Sequence, residues 1–93
     1  MSIQAVHLKI SGMVQGVGFR YFAYRSANQL GLTGWVMNTP NGSVEILAEG
    51  DRSLLEELIK EMKVGPRSAS VRDVDVKWIE PTGNHRSFEV RFV

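Results

Sequence analysis

The chain has 93 residues, of which 43% are hydrophobic and 23% are charged, and this length and composition indicate one globular domain over residues 1–93. Eleven basic and ten acidic side chains leave a net charge of +1, which argues against broad electrostatic capture of nucleic acid or of an anionic membrane. No cysteine is present, so disulfides, thiolate metal sites and cysteine nucleophiles are excluded.

The N-terminal segment has neither the basic region nor the apolar region of a secretory signal, and no later run is apolar enough to cross a bilayer. We therefore expect a soluble, cytoplasmic protein.

The first predicted elements are a strand and a helix joined by a glycine-rich stretch. Apolar and polar residues alternate over Val6–Ile10, which is typical of a strand with one buried face. Apolar positions then follow helical spacing from Phe19 to Leu30, and Gly31 is a natural residue to end that helix. The stretch between the two elements is Gly12–Arg20, with the sequence GMVQGVGFR.

This stretch has the features of an anion cradle. Gly16 and Gly18 permit positive φ, so successive backbone N–H groups can turn toward one point. The helix that follows adds unpaired N–H groups and the positive end of its dipole. Arg20 offers paired donors that match two oxygens of a phosphoryl group. Gly-x-Gly alone is weak evidence, however, and an ordinary strand-to-helix turn fits the glycines equally well.

A β-hairpin is predicted next. Gly34–Asn38 and Ser43–Glu49 read as strands, and between them Asn41-Gly42 favours a type I′ turn, in which both central residues have positive φ. The two strands are therefore expected to be antiparallel neighbours.

A second helix and two further strands complete the chain. Either Asp51 or Ser53 can cap the helix, and Gly65-Pro66 ends it. A fourth strand begins near Ser70, and a short last strand covers Phe88–Phe92. The apolar stripe expected to bury the second helix consists of Leu54, Leu55, Leu58, Ile59 and Met62.

The predicted order is strand, helix, strand, strand, helix, strand, with an extra terminal strand. Both helices are amphipathic and the strands alternate, so the economical packing places two helices on one face of an antiparallel sheet. The predicted fold class is therefore α+β, a ferredoxin-like two-layer sandwich.

Asn38 stands at the end of the second strand, before the hairpin turn. If the strand order brings it near the cradle and the anion is a phosphoryl group, its carboxamide can hold a water opposite the leaving group. The commoner role of asparagine at such a position is a turn residue that hydrogen-bonds to its own backbone. The residues alone leave both interpretations open.

Other groups used in phosphoryl transfer are missing from the sequence. No Gly-Lys-Ser/Thr follows the glycine loop, and no carboxylate cluster, Ser-His or Cys-His arrangement is evident. Catalysis would then rest on positioning and charge stabilisation. That suffices for an easily expelled leaving group, such as the carboxylate of an acyl phosphate.

Two other classes of function stay open at this point. Ferredoxin-like sheets also bind RNA, and Val17–Phe22 faintly resembles an RNA-recognition motif. That segment falls at a loop and a helix start, however, and not on a central strand where aromatic rings could stack on bases. A small regulatory module that binds an anion without turning it over is the other alternative.

Two motifs, Gly12–Arg20 and Gly34–Glu45, resemble the signature motifs of the acylphosphatase family, and the likeness spans nearly the whole chain. It implies a ferredoxin-like enzyme that hydrolyses small acyl phosphates to carboxylate and inorganic phosphate, without a metal, another cofactor or a covalent intermediate. Inorganic phosphate is then expected to be both product and competitive inhibitor. We expect a monomer with no nucleic-acid or membrane partner.

The resemblance also implies roles for individual residues. Arg20 would bind the phosphate and Asn38 would orient the attacking water, so these are the expected catalytic residues. The family's phosphate-binding residues correspond to Gln15, Gly16, Val17, Gly18, Phe19 and Arg20. Met37 and Asn41 stand where arginine and aspartate are common in the family, and these departures bear on rate and substrate preference and not on the two catalytic positions.

Overall fold

The computed structural model describes residues 2–92, and within that range it contains two helices and one five-stranded sheet. Neither helix in this range is long and apolar enough to cross a membrane. In chain order the elements are β1 (Ile3–Met13), α1 (Phe19–Gln29), β2 (Thr33–Asn38), β3 (Val44–Asp51), α2 (Arg52–Val64), β4 (Ser70–Ile79) and β5 (Phe88–Arg91).

The sheet order β4-β1-β3-β2-β5 places the two predicted site segments at one end of the molecule. Both β1 and β2 pair antiparallel with β3, so they run in the same direction. Their last residues, Met13 and Asn38, therefore lie at the same end of the sheet. The chain leaves β1 there for the glycine loop, which brings that loop toward Asn38.

The predicted α+β ferredoxin-like fold is confirmed, but the sheet is mixed and not wholly antiparallel as predicted. β1, β2, β3 and β4 form antiparallel pairs, but β5 pairs parallel with β2. The reason is the path of residues 80–87, the crossing segment. β4 ends where β1 begins, and the crossing segment passes along that end to the opposite edge, so β5 starts there and runs in the direction of β2.

The core lies between the sheet and the two helices. Alternate residues of the strands face the helices and are buried, and the stripe of α2 packs against them, except Leu54, which is 37% exposed because it lies at the margin of the stripe. Fully buried core side chains include Val6, Leu8, Ile10, Val36, Val44, Ile46, Ala48, Ala23, Ala27, Leu55, Leu58 and Met62.

Asp51 caps α2, which decides between the two predicted caps. Its Oδ1 accepts a hydrogen bond from the Ser53 backbone N–H at 2.9 Å and another from the Ser53 hydroxyl at 2.6 Å. These bonds, with the hydroxyl contributing most, lower the pKa of Asp51. The carboxylate at this position also complements the positive end of the helix dipole.

The β2–β3 hairpin forms as predicted, but its turn is not type I′. Every positive φ in residues 2–92 belongs to a glycine, so Asn41 has negative φ, and only Gly42, at 91°, has the positive value. The Gly42 N–H donates to the Thr39 carbonyl at 3.2 Å. The ring of Pro40 fixes φ at about −65°. This favours a type I turn, in which proline is the second residue and glycine the fourth.

A buried carboxylate holds the crossing segment against the sheet. Glu49, only 4% exposed, accepts hydrogen bonds from the Thr82 N–H at 2.9 Å, the Gly83 N–H at 3.0 Å and the Thr82 hydroxyl at 3.2 Å. Burial acts to raise the pKa of Glu49, but these bonds and the nearby His85 outweigh it and leave the pKa below the ordinary value of a glutamate.

Glu49→Ala should lower the free energy of unfolding at neutral pH by about 1–3 kcal/mol, because three part-buried hydrogen bonds to a charged acceptor are lost. The pKa of Glu49 is lower in the folded than in the unfolded state. Its carboxylate therefore contributes fully to the free energy of unfolding above the unfolded-state pKa, and this contribution is lost as pH falls through the folded-state pKa. Glu49→Gln should therefore weaken the acid dependence of stability. Urea titrations from neutral to acidic pH measure both effects.

Glu57→Gln, an exposed change on α2, is the control for that experiment. An acid dependence in Glu49→Gln as steep as that of the parent chain would contradict the assigned role of this carboxylate.

Candidate active site

Residues 14–18, the cradle loop, connect β1 to α1 and present unpaired N–H donors. The N–H groups of residues 15–18 donate to no backbone carbonyl among the described residues. Gly16 has φ of 72° and Gly18 has φ of 79°, and Gly18 is the N-cap of α1 with no side chain bonded to the helix end. A Cβ on either glycine would meet no atom within 4 Å. The backbone conformation, not lack of space, therefore favours glycine here.

Arg20 is the second residue of α1 and lies beside this loop. Its side chain is half-buried, and its Cζ stands 5.0 Å from the centre of the Phe92 ring. Contact with the ring face stabilises a guanidinium and restricts its orientation. The cation is thus held near the first turn of the helix, where the dipole also favours an anion.

Asn38 is the last residue of β2 and lies on the same face of the sheet as buried Val36. Its Oδ1 atom is buried and receives no hydrogen bond from the described residues. The turn that follows is instead bonded by other side chains, since the Asn41 carboxamide oxygen accepts from the Thr39 hydroxyl and from the Ser43 N–H. A buried polar atom without a protein partner is uncommon and often marks a functional group.

A cavity of about 360 Å³ brings the loop, the arginine and the asparagine together. Arg20, Asn38 and Phe92 also line an adjoining cavity of about 250 Å³, on the side of the β2–β3 turn. The residues that line the larger cavity are Val14, Gly16, Gly18, Phe19, Arg20, Tyr21, Asn38, Val90 and Phe92.

Three predicted cradle residues direct their side chains elsewhere. Phe19 is buried in the core, and Val17 packs partly against it. Gln15 turns its carboxamide toward the hairpin, where Nε2 donates to the Thr39 carbonyl at 2.8 Å and to the Ser43 carbonyl at 2.9 Å. Gln15 and Val17 line neither cavity, whereas Phe19 lines the larger one.

Sequence reasoning missed the apolar wall of the cavity. Tyr21 and Phe92 line it together with Val14 and Val90. Phe92 follows β5 directly and reaches Arg20 because β5 pairs with β2, a contact that no local pattern indicates. Met37 lines neither of the two cavities, since successive strand residues point to opposite faces and Asn38 faces the helices.

No group of three or more His, Cys, Asp or Glu side chains in residues 2–92 is arranged to hold a metal ion. Val17–Phe22, the segment with faint likeness to an RNA-recognition motif, lies in the cradle loop and the first turn of α1. Its aromatic side chains are therefore not displayed on a strand.

The fold and the site define a small α+β sandwich with a cavity at the start of its first helix, lined by the cradle loop, Arg20 and Asn38. The family model named Acylphosphatase matches residues 6–90. The acylphosphatase of Trichormus variabilis is 51% identical over 92% of this chain and 84% of its own length, and that of Chlorobaculum tepidum is 43% identical over 97% and 98%. The crystal structure of acylphosphatase from Bacillus subtilis, 36% identical, superimposes with a TM-score of 0.91 over 95% of this chain and 98% of its own.

The chain belongs to the acylphosphatase family, enzymes that hydrolyse acyl phosphates to a carboxylate and phosphate. Its relatives thus favour an enzyme over a module that only binds an anion.

Proposed function

We propose that this enzyme hydrolyses small acyl phosphates by direct attack of a water oriented by Asn38 on a phosphoryl group held by the cradle loop and Arg20. The observation that carries the proposal is the buried carboxamide oxygen of Asn38, which has no hydrogen bond from the described residues and belongs to a residue that lines the same cavity as Arg20.

The phosphoryl group is bound by charge and by hydrogen-bond donors. Gly16 and Gly18 have left-handed φ, which lets the N–H groups of residues 15–19 converge on one point, and such a turn at a helix start binds anionic oxygens. Arg20 supplies two parallel donors to two phosphoryl oxygens. These groups also face the negative charge on the equatorial oxygens in the transition state, so they favour that state over the bound substrate.

The water is bound by Asn38. Its Oδ1 accepts a hydrogen bond from the water, which leaves an oxygen lone pair directed at phosphorus. A new P–O bond forms to the water as the bond from phosphorus to the acyl oxygen breaks, and the electron pair of that bond leaves with the carboxylate. No carboxylate or imidazole lines the cavity of about 360 Å³, so the water's proton passes to a phosphoryl oxygen or to solvent.

An acyl phosphate suits this arrangement because a carboxylate leaves without being protonated. Leaving groups that need a general acid would react slowly here, since neither a carboxylic acid nor an imidazole lines the cavity. The substrate class is therefore a mixed anhydride of a carboxylic acid and phosphate, and phosphate esters should be poor substrates.

Inorganic phosphate should inhibit competitively, because product and substrate use the same cradle and the same arginine. We expect phosphate to raise KM for benzoyl phosphate while kcat stays unchanged, with chelator in excess throughout. Initial rates at several phosphate concentrations test this, with chloride at matched ionic strength as the control. Inhibition that lowers kcat at constant KM would contradict the shared site, and absence of turnover in the folded protein would overturn the proposed function.

The enzyme should act as a monomer, because one chain contributes the cradle loop, Arg20 and Asn38. Light scattering during gel filtration is expected to give a mass near 10.4 kDa at concentrations where the protein is active. Activity that appears only with a dimer would contradict this expectation.

A further inference from the structure

The carboxamide of Gln15 connects the two halves of the site. Gln15 belongs to the cradle loop, and its Nε2 donates to the carbonyls of Thr39 and Ser43, at 2.8 Å and 2.9 Å. A carboxamide nitrogen carries two hydrogens, so both are used. Thr39 directly follows Asn38 in the chain, and Gln15 therefore binds the backbone beside the proposed water-orienting residue.

The two acceptor carbonyls are fixed points of the hairpin. The Ser43 carbonyl also accepts from the Thr39 N–H at 2.9 Å, and the Thr39 carbonyl accepts from the Gly42 N–H at 3.2 Å. Ser43 is buried, and its own N–H is bonded to Thr39 and Asn41. By donating to these carbonyls, Gln15 therefore attaches the cradle loop to a turn that is held by its own hydrogen bonds.

The site needs such a tie because its parts stand on different elements. Arg20 and the N–H groups belong to the cradle loop and α1, whereas Asn38 ends β2, and β3 separates β2 from β1 in the sheet. The reacting atoms must approach to about 3–3.5 Å in a favourable direction, and a displacement of about 1 Å can lower the rate about 100-fold.

We propose that Gln15 is a positioning residue that sets the separation between the phosphate cradle and the Asn38 carboxamide. The proposal rests on the proposed function. The side chain touches neither phosphate nor water, and it acts by holding the loop at a fixed distance from the end of β2. Glutamine suits this role because it is neutral and has two donors, whereas glutamate would present acceptors to two carbonyls.

The expected result for Gln15→Ala is a fall in kcat of about 10- to 100-fold with little change in the inhibition constant of inorganic phosphate. Phosphate affinity is retained because the N–H groups and Arg20 remain. Gln15→Glu should lower kcat at least as far, since it keeps the size of the side chain and removes both donors. Gln29→Ala, an exposed change on α1, is the matched control and should leave kcat unchanged.

A double-mutant cycle with Asn38 separates positioning from a general loss of structure. In the Asn38→Ala background, Gln15→Ala should lower kcat no further. The carboxamide whose distance from the phosphate cradle Gln15 sets is then absent. Equal effects of Gln15→Ala in both backgrounds would overturn the positioning role, as would a parallel loss of phosphate affinity.

The same cycle distinguishes the two proposals. If Asn38→Ala keeps the kcat of the parent enzyme, the proposed function fails whatever Gln15 does. If Asn38→Ala loses turnover and Gln15→Ala keeps it, the positioning role alone fails. Far-ultraviolet circular dichroism and thermal melting of each variant establish that the comparison is made between folded proteins.

Discussion

Arg20→Ala should lower kcat/KM for benzoyl phosphate by about 100-fold or more, which is the usual loss when one preorganised donor to a developing negative charge is removed. Inorganic phosphate should also inhibit this variant far more weakly, because the guanidinium binds ground-state phosphate as well. Steady-state rates and phosphate inhibition constants measure both losses. Arg20→Lys keeps the charge but not the paired donors, so it should recover only part of the activity.

Arg25→Ala is the matched control for Arg20. Arg25 is an exposed arginine on the same helix and lines a different cavity, with Glu61 and Gln29. Its removal should leave kcat/KM nearly unchanged. If Arg20→Ala and Arg25→Ala had equal effects, the loss would reflect the general charge of α1 and the assigned phosphate contact would be wrong.

Asn38→Ala should lower kcat by about 100-fold or more while phosphate affinity stays nearly constant, because a group that orients water acts mainly in the transition state. The fold should be retained, since Oδ1 of Asn38 has no hydrogen bond from the described residues. Its removal therefore leaves no protein donor unpaired. Turnover of benzoyl phosphate, the phosphate inhibition constant and the melting temperature are the three measurements.

Asn28→Ala provides the control, since Asn28 is an exposed asparagine of α1 whose amide donates to the Tyr24 carbonyl away from the cavity. This variant should keep its turnover. An Asn38→Ala enzyme that retained the kcat of the parent chain would show that the attacking water is oriented by another group.

The sequence predicted most of the secondary structure because each element has a strong local pattern. Alternation over Val6–Ile10 indicated β1, and helical spacing indicated both helices. The parallel pairing of β5 with β2 was not predictable in the same way, since it depends on where the chain passes after β4. The turn type was missed because Asn41-Gly42 favours type I′, while Pro40 before it favours the turn that forms.

In the candidate site, too, features set by neighbouring residues could be predicted from the sequence, whereas contacts between residues distant in the chain could not. The sequence indicated that Gly16 and Gly18 permit positive φ in a loop between a strand and a helix, and both adopt it. The burial of Asn38 and the contact between Arg20 and Phe92 depend on strand order. The hydrogen bonds of Gln15 join residues 24 and 28 positions apart, so no spacing in the sequence indicated them.

Hydrolysis of benzoyl phosphate in water enriched in heavy oxygen, with chelator in excess, tests the central claim most directly. If a water held by Asn38 attacks phosphorus held by Arg20, the heavy atom appears in inorganic phosphate and none enters benzoate. Mass spectrometry of the two products measures this, with the Asn38→Ala enzyme as the control that should release little of either. Heavy oxygen in benzoate would mean attack at the carbonyl carbon and would contradict the proposed function.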